Sequence, residues 1–233
     1  MDIVRSYAEK YPIIKYSVNE QNLGYLQNFS LAISKTIGQY VALSDQDDIW
    51  SKDHLDKLIS GIGNKALCVG DCEMIDSNGE RLGKRFSDVK KNFYIPQSDV
   101  AKAYRIVYNT NPYQGASMLI DRDWVQRFLP IPSGAGFHDT YFAGCACLTQ
   151  GLSVIPDVIN QYRIHRGQVT SQWEVSLYNE IHHRHHFICY PSKVVLINSV
   201  KKNAGHLASD ALQFIREFEE ILSLDAQKND LEH

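Results

Sequence analysis

The chain is expected to fold as an α/β protein, and three observations lead there. Short apolar runs alternate with longer stretches whose apolar residues recur at i, i+3, i+4 and i+7, the pattern of strand followed by helix. Val41, Ala42 and Leu43 are continuously apolar, as a strand covered on both faces is, so a buried parallel strand is expected there. That run ends in Asp45, Asp47 and Asp48, which places carboxylates at the carboxyl end of a strand, where open α/β sheets bind ligands.

In chain order, Ile3, Val4, Tyr7, Ala8 and Tyr11 share one face of an opening helix that Pro12 closes. Ile13 to Val18 reads as a strand, and Leu26, Phe29, Ile33 and Ile37 as the stripe of a second helix stopping at Gly38. After the carboxylates, Leu55, Leu58, Ile59 and Ile62 predict a helix, and Ala66 to Val69 a short strand leading into Asp71 to Glu73. Ser77-Asn78-Gly79 is a turn, and residues 84 to 100, without a period, read as a mobile surface loop. Gly115 to Ile120 predicts a strand whose small residues admit a close backbone or ligand. A loop with Pro130, Pro132, Gly134 and Gly136 then delivers His138 and Asp139 to an apolar helix over Tyr141 to Leu148. Ser153 to Ile155 and Val158 to Ile164 read as two further strands, with helix expected beyond Trp173. The stripe Leu207, Ala211, Phe214, Ile215, Phe218, Ile221 and Leu222 must pack on the body, on a second copy as a homodimer, or weakly on a membrane surface.

At 233 residues, with 44% hydrophobic and 22% charged, the chain suits one ordinary domain with a real core. A formal charge of -3 argues against a dedicated nucleic-acid binder. No apolar run is long enough to span a bilayer, and no secretory signal opens the chain, so a cytoplasmic location is expected. The five cysteines include no C-x-x-C pair and read as buried free thiols, with a zinc site disfavoured. His182, His183, His185 and His186, beside Arg184, read as a solvated helix surface rather than a metal site. The terminal Leu231-Glu232-His233 resembles a polyhistidine-tag remnant and is set aside.

Three carboxylates within four residues repel one another unless a cation, a basic partner or helix amides offset them. A hard divalent ion, held by one or two carboxylates and completed by phosphate oxygens and water, is the natural candidate. The plainer alternative is that Asp48 or Ser51 caps the following helix and the others are solvated.

Asn22-Leu23-Gly24, Leu43 to Trp50 (LSDQDDIW), Gly115 to Arg122, and His138-Asp139 followed by Gln161 to Gln168 (QYRIHRGQ) together resemble a family 2 glycosyltransferase of the GT-A fold. The likeness is in particular to bacterial rhamnosyltransferase-like enzymes, and it spans roughly residues 1 to 172. It implies a truncated, Rossmann-like mixed sheet with flanking helices, then a helical extension over 173–230. In such enzymes the D-x-D holds a donor diphosphate through Mn²⁺ or Mg²⁺. The resemblance therefore makes Asp47 the direct metal ligand, with Asp45 toward the ribose or the metal's water shell and Asp48 shaping the loop. It matches His165 to a histidine that completes the metal site, an imidazole suiting Mn²⁺ better than Mg²⁺. Asp139 matches the general base, although an Asp at that place is also a common helix N-cap. Arg163 and Arg166 would neutralise departing phosphate charge, or serve as surface ion-pair residues.

The resemblance further implies an upstream strand, helix and strand that cradle the nucleotide base. Here the text begins on the helix that follows them, so weak or absent donor binding is expected of this chain. The implied activity is metal-dependent, inverting transfer from a UDP- or dTDP-sugar to a glycan or lipid-linked acceptor of bacterial surface polysaccharide, at the inner face of the membrane. Two alternatives compete. A haloacid-dehalogenase-type phosphatase also places D-x-D after an apolar strand, with the first Asp as nucleophile. A non-catalytic, transferase-like binding module is the other.

Overall fold

The computed structural model describes residues 2–90, 93–94, 97–165 and 191–231. Its elements in chain order are α1 (Asp2–Lys10), α2 (Gly24–Ser34), β1 (Tyr40–Ala42), β2 (Ile49–Trp50), α3 (His54–Ile62), β3 (Leu67–Ile75), β4 (Arg81–Arg85) and α4 (Phe86–Val89). There follow α5 (Asp99–Tyr108), a 3-10 turn at Gly115–Ser117, β5 (Met118–Asp121), α6 (Arg122–Gln126), α7 (His138–Leu148), β6 (Leu152–Arg163), α8 (Pro191–Asn203) and α9 (Ser209–Leu231).

The strands form one mixed sheet in the order β1-β5-β3-β6-β2, with β4 paired to β3 off that path. β3 and β6 run parallel, while β5 is antiparallel to both β1 and β3. The α/β class is thus as expected, but the polarity of β1 is not: it pairs antiparallel with β5, Val41 opposite Ile120. A continuous apolar run records that both faces are covered, here by the main core under Val41 and by a smaller cluster around Leu58, Ile62 and Ile159 under Ala42. Coverage carries no information about direction.

Four further expectations change. Ile13 to Val18 forms no strand, and Ile13 and Val18 stay 90% and 60% exposed. Alternation fixes which way side chains point, but a strand needs a neighbour's N–H and C=O groups, and none of the described strands lies alongside. α2 ends at Ser34, leaving Ile37 in solvent. Gly115 opens a 3-10 turn, and β5 starts only at Met118. The two strands read before and after Pro156 are one, β6, whose pairing jumps from Val69–Val154 to Asp71–Val158. The extra residues bulge out around Pro156, which has no N–H for a ladder.

Residues 84 to 100 are the largest departure, since a mobile loop was expected. Their described part holds the end of β4, all of α4, the start of α5 and the buried rings of Phe86 and Phe93. The anchor is Asp71, which has no exposure at all. Its carboxylate accepts from Ser87 N at 3.1 Å, Ser87 Oγ at 2.6 Å and the Tyr94 hydroxyl at 2.9 Å. The Asp76 carboxylate forms the preceding turn by accepting from Asn78 N and Glu80 N.

The carboxy-terminal helices belong to the main core. Leu196, Ile197 and Val200 of α8 are buried there, and Gly144 of α7 leaves the space Leu196 fills. Ala211, Phe214, Ile215 and Phe218 of α9 are buried as well, with Tyr104 of α5 edge-on to Phe214 at 4.6 Å. Of the options for this stripe, packing on the body takes Ala211, Phe214, Ile215 and Phe218. No helix among the described residues is long and apolar enough to cross a membrane. Cys68, Cys72, Cys145 and Cys147 are buried free thiols. Cys189, the histidine cluster and Arg166 lie outside the described residues.

Lys193 of α8 is 7% exposed, and its Nζ donates to the carbonyl of Ile106 at 2.7 Å. Burial pulls its pKa down to about 8, against the opposing charge of Asp139. Between that value and the ordinary lysine range the unfolded chain binds the extra proton, so this group's penalty on stability lifts as pH rises. Relative to Lys193→Met, the wild type should gain about 3 kcal/mol between pH 8 and pH 10.5, read from paired urea denaturation curves.

Candidate active site

The site is built where the loop after β1 doubles back onto the end of β6. Leu43 N donates to Met118 O at 3.3 Å, and β2 then pairs Ile49 with Gln161, so the intervening acidic residues sit beside the last turn of β6. This brings side chains more than a hundred residues apart into contact. His165 Nε2 lies 2.8 Å from Asp47 Oδ2. Arg163 N donates to Asp48 Oδ1 at 3.0 Å, and Gln114 Nε2 donates to Asp48 Oδ2 at 3.1 Å.

Asp48 is therefore part of the loop's scaffold and does not cap α3, whose N-cap is Asp53 without a side-chain bond. Burial, with Asp45 and Asp47 adding to it, pushes Asp48 up to about 6, while the Arg163 N–H and the Gln114 amide pull the other way. The Arg163 guanidinium donates from Nε to Asp47 O at 2.8 Å and from one terminal nitrogen to Asp76 O and Ser77 O at 3.2 and 3.3 Å. That arrangement fastens the acidic loop to the β3–β4 turn.

Asp139 arrives from another direction. It is the second residue of α7, whose N-cap is Phe137, so it is not the cap. Its Oδ1 accepts from Thr140 N at 2.5 Å. The carboxylate of Asp45 ties the two halves together electrostatically: burial raises its pKa, the His138 charge opposes this, and Asp47 and Asp139 add to it. Of the residues the resemblance pointed to, Asp47 and His165 are thus in contact, and the charges of Asp47 and Asp139 both act on Asp45.

Gln114 and the imidazole of His138 carry no assignment from the sequence. Gln114 joins Asp48 to the thiol of Cys72, which donates to Oε1 at 2.9 Å. Nothing periodic marks it in the text. His138 stacks on Phe29 with centroids 4.1 Å apart, and its place directly before Asp139 was the available signal.

Among the described residues no three ligating side chains form a ready coordination sphere. Asp47 and His165 instead close on each other. Two such ligands, with Asp45 close by, suit a hard cation that completes its shell with diphosphate oxygens and water, so the residues fit an ion that comes with its substrate.

A mixed α/β sheet with flanking helices is the architecture of the GT-A class of fold. The model of glycosyl transferase family 2 matches residues 1–129, more than half of the 233, and the chain belongs to that family. Among solved structures it resembles Staphylococcus aureus TarS residues 1–349 in complex with UDP-GlcNAc, with a TM-score of 0.59 at 18% identity. The likeness covers 93% of this chain and 58% of that one, so the chain spans little more than half of its neighbour's length. No curated protein matches the chain in sequence.

Proposed function

We propose that the protein is a metal-dependent, inverting glycosyltransferase that moves a sugar from a UDP- or dTDP-sugar to a glycan or lipid-linked acceptor. Bacterial surface polysaccharide, made at the inner face of the cell membrane, is the setting this reading implies. The observation that supports it is the meeting of Asp47 with His165, 118 residues apart in the chain, at 2.8 Å. Asp139 takes the proton of the acceptor hydroxyl as that oxygen attacks the anomeric carbon. The bond from that carbon to the diphosphate breaks, and the diphosphate leaves with the electron pair. A carboxylate held at a helix start, its Oδ1 accepting from Thr140 N, needs little rearrangement to do this.

Asp47 and His165 would hold Mn²⁺ or Mg²⁺, whose charge offsets that gathering on the leaving diphosphate. Asp45 would meet the ribose or the ion's water shell, and Asp48, bonded to Arg163 N, would keep the loop in shape. The reading is tested by nucleoside diphosphate release from a panel of sugar nucleotides at millimolar concentration, with Mn²⁺ or with chelator. Release should need the ion and should drop at least about 100-fold in Asp47→Ala. Release of phosphate from p-nitrophenyl phosphate, lost in Asp45→Asn, would instead favour the phosphatase.

A further inference from the structure

Outside the candidate active site, α5 and α9 part to leave an open groove of about 550 Å³, within the roughly 300–1,000 Å³ of small-molecule sites. Tyr104, Arg105 and Tyr108 line it from one face of α5, and Asn109 closes the carboxyl end of that wall. Glu217 and Ile221, one turn apart on α9, form the other wall. The Tyr104 and Tyr108 rings are stacked, with centroids 5.6 Å apart and an interplanar angle of 27°, and Phe214 braces both edge-on at 4.6 and 5.9 Å. Two tyrosines held in this way make a broad, amphipathic contact surface with little side-chain entropy left to lose.

Among the described residues, the half-buried Arg105 guanidinium makes no hydrogen bond or ion pair, and the Asn109 side-chain amide makes no hydrogen bond. Glu217 accepts from the Tyr104 hydroxyl and from Gln213 Nε2 at 2.9 Å, and these two donors hold its carboxyl below the usual glutamate range. The groove therefore offers a planar fork of donors, an amide that both donates and accepts, and a fixed carboxylate. A phosphate or carboxylate ligand would meet Arg105 but be repelled by Glu217. Hydroxyls donate as well as accept, so a neutral polyhydroxyl ring can satisfy all three while its apolar face covers the tyrosines.

Two links bound the groove's distance from the candidate active site. Ile106 O, next to Arg105 on α5, receives Lys193 Nζ at 2.7 Å, and the charge of Asp139 acts on that ammonium. Asn109 is five residues from Gln114, which bonds Asp48 at 3.1 Å, so the Cα atoms of Asn109 and Gln114 are at most about 18 Å apart. We propose that the groove between α5 and α9 is a second glycan site, holding a neutral sugar unit of the acceptor chain a few units away from the hydroxyl that reacts. The inference rests on the transferase reading and adds to it the class of acceptor, a neutral oligosaccharide. A chain held in the groove keeps its reacting end near the cleft at raised effective concentration.

The test is a saturation-transfer NMR titration of the full chain, without metal or donor, with maltohexaose, cellohexaose, chitohexaose, oligogalacturonate and inorganic phosphate. The variants are Arg105→Met, which removes the fork without stranding a partner, and Tyr104→Leu, which removes half of the aromatic surface. At least one neutral oligosaccharide should bind, and each substitution should weaken it by about 5- to 10-fold. Nucleoside diphosphate release from a sugar nucleotide in water, which measures the transferase reading itself, should be unchanged in both. Failure of the wild type to bind any neutral oligosaccharide overturns the inference, as does binding that survives Arg105→Met, and both leave the transferase reading standing. Arg105-dependent binding of phosphate or galacturonate in place of the neutral sugars also overturns it, by making the groove an anion site. A wild type that releases no nucleoside diphosphate from any donor in Mn²⁺ defeats the transferase reading, and this inference with it.

Discussion

Asp139→Asn should abolish sugar transfer while leaving the fold and donor affinity in place. The amide keeps an oxygen that can accept the Thr140 N–H now received by Asp139 Oδ1, so the start of α7 has no reason to move. What it cannot do is take a proton from an acceptor hydroxyl. Loss of a positioned general base costs on the order of 10²–10⁴ in rate, and turnover should fall by about 10³. Donor titration should move less than about twofold, because the acidic loop proposed to hold the diphosphate is a separate segment of the chain. A variant that kept a tenth of wild-type turnover would remove Asp139 from the role of base.

Asp71→Ala should have the largest effect on stability. The native carboxylate, wholly buried in β3, accepts from Cys72 N at 2.8 Å and from Ser87 N, Ser87 Oγ and the Tyr94 hydroxyl at 3.1, 2.6 and 2.9 Å. Truncation strands all of these donors together, and each enclosed polar group left unpaired is costly. The loss should be about 4 kcal/mol, a large share of the roughly 5–15 kcal/mol typical of a domain. Asp71→Asn, which retains an acceptor oxygen but turns an amide toward the remaining donors, should fall between. Urea denaturation gives both values. Limited proteolysis should show cleavage within residues 86–94 well before the rest of the chain, since this carboxylate fastens that segment to the sheet.

These two residues also mark what could and could not be read from the text. Asp139 was singled out by the family resemblance, while the loop of Pro130, Pro132, Gly134 and Gly136 before it and the apolar helix after it were legible locally and, alone, read as a helix cap. The acidic loop, the turn at Asn78-Gly79 and the stripe of α9 were legible for the same reason: each is a local pattern with a local cause. Asp71 was hidden. It interrupts an apolar run, so the strand was read as ending near Val69, whereas bonds to Ser87 and Tyr94 let β3 continue to Ile75.

The polarity of β1, the missing ladder beside Ile13 to Val18 and the position of Arg163 are pairwise properties of distant segments. No window of sequence contains them. Arg163 shows this best: its guanidinium donates to the backbone carbonyls of Asp47, Asp76 and Ser77, all more than eighty residues away in the chain. The contact between Asp47 and His165 was reached through the family resemblance, and spacing alone would not have supplied it.

The account stands or falls on a single displacement at one anomeric carbon, with Asp139 on the face opposite the leaving diphosphate. Proton NMR of the sugar freshly transferred from an α-linked sugar nucleotide tests this most directly. The account predicts a β-linked product from the first time point, absent in Asp139→Asn. A product that keeps the α configuration would contradict it.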